Sequence, residues 1–406
     1  MNTLLPGDGG MHVQIMWRIP LSDLNYDEHE ERAVLEVLRS KWLTMGPKTA
    51  EFEALAAGYL GARHAIAVAN CTCALELAYA AALRRHEGTG RTSVLVPDVT
   101  FVATANAAMA AGGQPVLCDI ESPDIPLLSV GTAVRSGSPG EWAVIATVHY
   151  AGFDANAQAL RQLAHDRGAL LIEDAAHAIG GLGKDGAKLG TIGDVGCFSF
   201  FSNKNLATGE GGMVVTNDDE IADEVRLRRS HGMSSPTFDR HRVRAHGYDV
   251  TVHGNNHRCT EITAALGIEQ LKKLDAGNGR RRGLYRLYVE MLQAWPEVAV
   301  AFSDRPDAID RSSCHILPLL CESGELRDRI RETMDVAGVQ TSHHYPPVHG
   351  FTFYRALADS GRLHHASCPN AESFAARQIT LPLHPGLKEV EVEEICALVG
   401  QAIKCR

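Results

Sequence analysis

Lys204 stands in the run Cys197-Phe198-Ser199-Phe200-Phe201-Ser202-Asn203-Lys204-Asn205-Leu206, which leads into Gly209-Glu210-Gly211-Gly212-Met213-Val214-Val215. Two β-rich stretches flank a short Asn/Ser/Gly turn, a pattern that predicts a lysine held where two strands meet. Burial lowers the pKa of such a lysine and frees its amine. That is the requirement for a Schiff base with an aldehyde cofactor such as pyridoxal phosphate. By itself the same pattern also describes a hairpin lysine in solvent, so the rest of the chain has to decide between them.

Other residues bear on that choice. The run Leu170-Leu171-Ile172-Glu173-Asp174-Ala175-Ala176-His177-Ala178 puts two carboxylates at the end of an apolar strand. Carboxylates buried there without partners are costly, so one of them should face a cation. A protonated pyridine nitrogen would serve, and so would an ordinary salt bridge or a helix cap. Thr72 follows a short strand pattern and opens a helix, where free N–H groups and a partial positive charge suit a phosphate or simply a cap. Phe101 lies just past a second strand, at the edge where open α/β sheets bind ligands, and is either a ring-stacking residue or a core aromatic. Gly181-Leu182-Gly183-Lys184-Asp185-Gly186 matches GxGxxG. It neither follows a strand nor opens an apolar-periodic helix, so it reads as a hairpin turn. The histidines lack zinc-type spacing, and no metal is expected.

The elements that must position these residues alternate. Helical periodicity runs over residues 27–40 and 48–60, joined by a glycine- and aromatic-containing loop, 41–47, that borders a pocket or merely connects the helices. Strand patterns at 64–69, 93–96, 115–120, 142–150 and 169–174 are interleaved with helices, the first reaching about residue 84 and another spanning 156–166. This is an α/β chain with a mostly parallel sheet covered by helices. A helix over 218–230 is followed by a long polar loop, 231–257, and a further helix over 259–274. Arg280, Arg281 and Arg282 read as a solvated face. Strands at 298–302 and 316–320, a helix at 326–337 and a stiff loop at 343–349 suggest a smaller C-terminal α+β domain. The expected division is a flexible arm over 1–15, a large domain over 16–275 and a small one over 276–406.

Composition sets the bounds. The chain has 406 residues, 45% of them hydrophobic and 22% charged, enough for two cores. A formal charge of −10 argues against nucleic acid or an anionic membrane as partner and favours small molecules. Ten scattered cysteines without a CxxC pair, together with no signal-like start and no membrane-length apolar run, point to reduced thiols in the cytoplasm.

Several runs occur in a fixed order: Gly46-Pro47 with Phe52-Glu53; Asn70-Cys71-Thr72-Cys73-Ala74-Leu75; Pro97 through Thr100-Phe101-Val102-Ala103-Thr104; and Glu173-Asp174-Ala175-Ala176-His177-Ala178. After these come the Lys204 run with its glycines, His231-Gly232-Met233, Gly254-Asn255-Asn256-His257-Arg258 and His344-Tyr345-Pro346-Pro347-Val348-His349. Single runs are weak signals, but the ordered set resembles the DegT/DnrJ/EryC1/StrS family of sugar aminotransferases, from about residue 19 to the end. The resemblance implies a fold type I enzyme that uses pyridoxal 5'-phosphate. In that case Lys204 carries the cofactor, Asp174 pairs with the pyridine nitrogen, Phe101 lies on the ring and His177 near it. Thr72 and Ser199 hold the phosphate beside Cys71. The resemblance also implies a homodimer with shared sites, in which Asn256 reaches the neighbouring subunit's phosphate.

Thr44 and Met45, with His344, Tyr345 and His349, are the candidate substrate contacts. Arg240, Arg242, Arg244 and Arg280 are available for a diphosphate or as surface arginines. The family usually has glycine at Cys71 and an aromatic at Asn255, which bears on the phosphate geometry. Relatives with histidine in place of the lysine dehydrate sugars, so Lys204 implies transamination, from glutamate or glutamine to a nucleotide-linked keto-sugar or a cyclitol ketone. Such a reaction belongs to amino-sugar or antibiotic biosynthesis. A dehydratase or epimerase on the same fold, or a non-enzymatic pyridoxal-phosphate-binding regulator, would be the alternatives.

Overall fold

A run such as Trp142–Val148, apolar except at Thr147 and buried at every position, has almost nothing polar to offer water and becomes an interior strand. A computed structural model describes residues 17–137, 142–234 and 248–405. In it the main sheet is built from β1 (His64–Val68), β2 (Ser93–Pro97), β3 (Gln114–Cys118), β4 (Trp142–Val148), β5 (Leu170–Asp174), β6 (Val195–Ser199) and β7 (Gly212–Thr216). Their order across the sheet is β1-β7-β6-β5-β4-β2-β3, with His364–His365 added beside β3. Neighbours are parallel except at β7, which runs antiparallel to both β1 and β6. The chain therefore leaves the sheet at Ser199 and re-enters at Gly212, and Lys204 lies in that connection. The connection sits at the carboxyl ends of β5 and β6, the edge where such sheets bind ligands.

The helices that cover this sheet follow the expected periodicities: Glu28–Ser40, Pro47–Leu60, Cys71–Arg84, Ala157–Asp166 and Asp219–Arg229. Asn70 caps the third of them by accepting from Cys73 N at 2.9 Å, so Thr72 is not the cap and its hydroxyl is left uncommitted at the helix start. The 181–186 glycine run reverses the chain, with Gly183 N donating to Ala187 O at 2.8 Å and Leu182 bridging Lys188, as a hairpin requires.

One helix differs in length from its sequence pattern. The periodicity beginning at residue 259 is expected to stop near 274, but the helix runs unbroken over Glu261–Leu292. The expected domain boundary at 275 lies inside it. Gly277, Asn278 and Gly279 weaken local helix propensity, and tertiary bonds override that weakness. Asn278 is buried and donates to Ile179 O at 3.0 Å, while Asn205 donates to it at 2.7 Å. Arg281, expected on a solvated face, is 3% exposed and donates to His315 O at 3.0 Å and Leu383 O at 2.6 Å. The helix also serves two cores. Ala264, Ile268 and Leu274 pack under the main sheet, and Leu284, Tyr285, Tyr288 and Leu292 join the C-terminal core.

That second core surrounds an antiparallel sheet of Gln378–Leu381, Leu317–Cys321 and Val298–Val300, covered by the helices Gly324–Val336 and Glu389–Lys404. The ten cysteines are all free thiols. Among the described residues no helix is long and apolar enough to cross a membrane. The expected N-terminal arm and Arg240, Arg242 and Arg244 lie outside the described residues.

Candidate active site

Lys204 is reached through a tight turn. Its N–H donates to Phe201 O at 2.9 Å, and Phe200 and Gly211 close the turn behind it across 2.9 Å. Gly212 brings this turn close to the next helix. A Cβ there would lie 2.4 Å from the carbonyl carbon of Asn70, so only glycine lets β7 run so close to the N-terminus of Cys71–Arg84. Burial lowers the Lys204 amine to about 8, against the opposing pull of Cys71 and Asp174. A lysine with that pKa keeps an appreciable free-amine fraction near neutrality.

Asp174 ends β5 with its side chain on the cavity side. Its Oδ2 accepts from Thr104 Oγ1 at 2.7 Å and its Oδ1 from Ala176 N at 3.2 Å. Burial raises its pKa, while those two donors, Lys204 and His149 favour the charged form. No salt bridge to Asp174 occurs among the described residues. Glu173, one residue earlier on the strand, points to the opposite face. There it accepts from Gly190 N at 2.9 Å and meets His149 Nε2 at 2.7 Å, both side chains being fully buried. The two carboxylates thus separate into a satisfied structural one and one that faces the cavity.

That cavity measures about 380 Å³. It brings together Cys71, Thr72, Phe101, Asp174, His177, Ser199, Lys204, His344 and Tyr345 from the sequence-derived set. Phe101 is 58% exposed, its ring presented at the cavity and tilted against Tyr345 at 6.0 Å, so it is not a core aromatic. His177 is buried and faces Tyr345 Oη at 2.9 Å through Nε2, and its Nδ1 accepts from Ala151 N at 3.3 Å. With Nδ1 accepting, Nε2 carries the proton and donates to the tyrosine. The Tyr345 hydroxyl proton is then free to point into the cavity. Burial also pushes His177 well below the ordinary imidazole range. His344 is lowered to about 3, chiefly by burial, so both rings are neutral. A larger recess of about 630 Å³, lined by Arg327, Arg331, His343 and Glu372, contains neither Lys204 nor Asp174.

Five sequence candidates among the described residues, Thr44, Met45, Asn256, His349 and Arg280, do not line the cavity in this chain. Thr44 pairs with Thr260, and Met45 sits in the same loop, its carbonyl accepting from Trp42 Nε1 at 3.4 Å. Asn256 is exposed and bridges Ser230. His349 lies between two carboxylates, with Nδ1 at 2.5 Å from Asp98 and Nε2 at 3.2 Å from Glu372. Asp98, His349 and Cys368 place one potential metal-ligand atom each within 4.8 Å of one another. The Asp98–His349 contact is itself a hydrogen bond that uses two of those atoms, so the group reads as a latch between two loops. Arg280 pairs with Glu389 at 2.8 Å. Sequence reasoning missed Thr104, Asn203, Glu210 and His315. Only Thr104 left a sequence signal, standing four residues after Thr100 at the start of Ala103–Ala110.

The assembled site holds an amine with a lowered pKa, a buried carboxylate with no salt bridge among the described residues, an exposed aromatic face and a helix N-terminus. Residues 25–400 match the DegT/DnrJ/EryC1/StrS aminotransferase family. The spore coat polysaccharide biosynthesis protein SpsC of Bacillus subtilis is 34% identical over 382 residues, covering 93% of this chain and 95% of SpsC. PseC of Helicobacter pylori, an aminotransferase involved in the biosynthesis of pseudoaminic acid, superposes with a TM-score of 0.85 at 28% identity, covering 95% of this chain and 99% of PseC. DesI, solved in the presence of its TDP-sugar product, superposes with a TM-score of 0.80 at 29% identity, covering 94% of this chain and 92% of DesI.

Proposed function

The chain belongs to the DegT/DnrJ/EryC1/StrS aminotransferase family, and on that premise we propose that it moves an amino group from glutamate or glutamine to a keto-sugar, either nucleotide-linked or a cyclitol ketone. The observation that carries this reading is one cavity holding both the Lys204 amine, lowered to about 8, and the buried Asp174 carboxylate. Their fold is that of the fold type I pyridoxal-phosphate transferases.

The residues fit pyridoxal phosphate. Asp174 is 5% exposed and its hydrogen-bond partners, Thr104 and Ala176, are neutral, so a protonated pyridine nitrogen would answer a charge that no salt bridge among the described residues pairs. When bound, the cofactor supplies an aldehyde that takes up the amino group and a ring that accepts electrons. Lys204 would be the residue that holds it through its amine, and the same Nζ, lowered to about 8, would be placed to hold or move a proton. Asp174 would keep the proton on the ring nitrogen. Phe101 would cover one ring face, with His177 lining the same cavity. Cys71, Thr72 and Ser199 with the amides of the Cys71–Arg84 N-terminus would hold the phosphate. His344 and Tyr345 present neutral donors and acceptors where a sugar would enter.

The working form in this reading is a cytoplasmic homodimer, with the partner's Asn256 completing each phosphate site. The similarity to DesI supports a nucleotide-linked sugar as acceptor. The retained lysine weighs against a dehydratase or epimerase.

The test is spectroscopic. Purified protein loaded with pyridoxal phosphate is given glutamate or glutamine, and its visible absorbance should fall. Keto-sugars, nucleotide-linked and free, are then screened for its return. A spectrum indifferent to every amino acid defeats the aminotransferase reading.

A further inference from the structure

Beside the Lys204 amine lies a histidine that the proposed function does not use. Lys204 Nζ is 3.4 Å from His315 Nε2. His315 comes from the C-terminal core, in the segment just before the strand Leu317–Cys321, and is 4% exposed. Its backbone is pinned on both sides, by donation to Ala151 O at 2.9 Å and by Arg281 at 3.0 Å on its carbonyl.

The tautomer of this ring follows from its neighbours. His315 Nδ1 lies 2.9 Å from Asn205 Oδ1. Asn205 Nδ2 is 2.7 Å from Asn278 Oδ1 and 2.8 Å from the Ser313 carbonyl, so the amide nitrogen already meets two acceptors. Asn278 is oriented in turn, because its Nδ2 donates to Ile179 O at 3.0 Å. With both amides set, Asn205 Oδ1 must accept, the His315 proton sits on Nδ1, and the bare Nε2 lone pair faces Lys204. Burial, His177, Lys204, Arg281 and His344 all hold the ring in its neutral form.

We propose that His315 is a positioning residue for Lys204. Its Nε2 accepts one N–H of the lysine amine and so turns the amine lone pair toward the cavity, while Asn205 and Asn278 lock the ring tautomer. A neutral amine has one lone pair, and its rate of attack on an aldehyde depends on where that pair points. No proton is transferred in this arrangement. The proposal rests on the reading of Lys204 as the amine that captures the cofactor.

Nitrogen-15 NMR of histidine-labelled, cofactor-free protein tests the tautomer without any activity measurement. The signal lost in His315→Gln should be a neutral imidazole protonated at Nδ1. An Nε2-protonated or cationic ring at neutral pH would overturn the proposal. The second arm compares His315→Leu with His315→Gln, whose amide oxygen can still accept. The readout is the rate of covalent capture of pyridoxal phosphate, trapped with borohydride and located on Lys204 by peptide mass. Capture should slow by about tenfold or more in the leucine variant and largely recover in the glutamine variant. Wild-type rates in both, or equal losses in both, would show a merely structural histidine. Should the leucine variant fail to fold, the NMR result on the unaltered protein decides. Absence of capture by the unaltered protein would instead defeat the Lys204 reading, so the two failures are distinguishable.

Discussion

Thr104 Oγ1 donates to Asp174 Oδ2 across 2.7 Å, and the Thr100 hydroxyl, 2.7 Å from Thr104 Oγ1, supplies the bond that Thr104 accepts. Thr104 lies in the first turn of the helix Ala103–Ala110 and Thr100 in the loop four residues earlier, and the two form a short relay aimed at the buried carboxylate. Thr104→Val keeps the shape and removes the donor. A hydrogen bond to a charged group is worth roughly 1.5–3 kcal/mol. The Asp174 pKa should therefore rise further and its hold on the ring proton weaken. Turnover is expected to fall about tenfold, with cofactor affinity measured alongside. Unchanged turnover would mean that Thr104 does not act on Asp174.

Replacing the carboxylate itself should cost more. Asp174→Asn keeps the accepting oxygen but not the charge, so the ring nitrogen loses the group that holds its proton. Cofactor should still bind, while turnover drops by ~10²-fold or more, the scale seen when a preorganised electrostatic partner is removed. A rate near that of the unaltered protein would contradict the assignment.

The Lys204 amine gives a pH signature. Burial disfavours the ammonium and brings its pKa from 10.5 to about 8. Below that value the nitrogen is protonated and has no lone pair to offer; above it the free amine predominates. Capture of pyridoxal phosphate by cofactor-free protein should therefore accelerate with rising pH, with a midpoint near 8. In Lys204→Ala it should be absent at every pH while the fold persists. A midpoint near 10.5 would place the amine in water.

Subunit mixing tests the shared site. Asn256 is exposed and outside the cavity of its own chain, which suits a residue delivered to a neighbour. Asn256→Ala and Lys204→Ala protomers, each impaired alone, would form a mixed dimer in which one site carries both lesions and the other neither. Activity should reappear on mixing. If exchange is confirmed by mass and no activity returns, Asn256 acts within its own subunit.

Much of this site was legible because its signals are local. Lys204 between two β-rich runs, Asp174 at the end of a fully apolar strand and Phe101 just past another depend on short-range periodicity, and the structure brings all three to one cavity. The choice between Glu173 and Asp174 was not legible. Alternation along a strand says that they face opposite ways, but only Gly190, Gly193 and His149 show which of them is already satisfied. Likewise the sequence left Thr72 as either a phosphate contact or a helix cap, and the cap belongs to Asn70, whose side chain accepts from Cys73 N.

By itself the sequence determined the alternating α/β order, the lysine turn and the family's motif series, since each is written within about ten to thirty neighbouring residues as hydrophobic period, turn chemistry or spacing. Tertiary structure alone decided the parts that depend on distant partners. The helix Glu261–Leu292 continues through a glycine-rich stretch because Asn278 and Arg281 find buried acceptors far away in sequence. Arg281 is a core residue for the same reason. His315 carries no motif, yet Lys204 and Asn205 of the lysine turn meet it directly, and Asn278 of the long helix holds Asn205 in place. A hydrogen-bond chain of that kind has no periodicity to read, because its members are brought together only when the cores on either side of the long helix have packed.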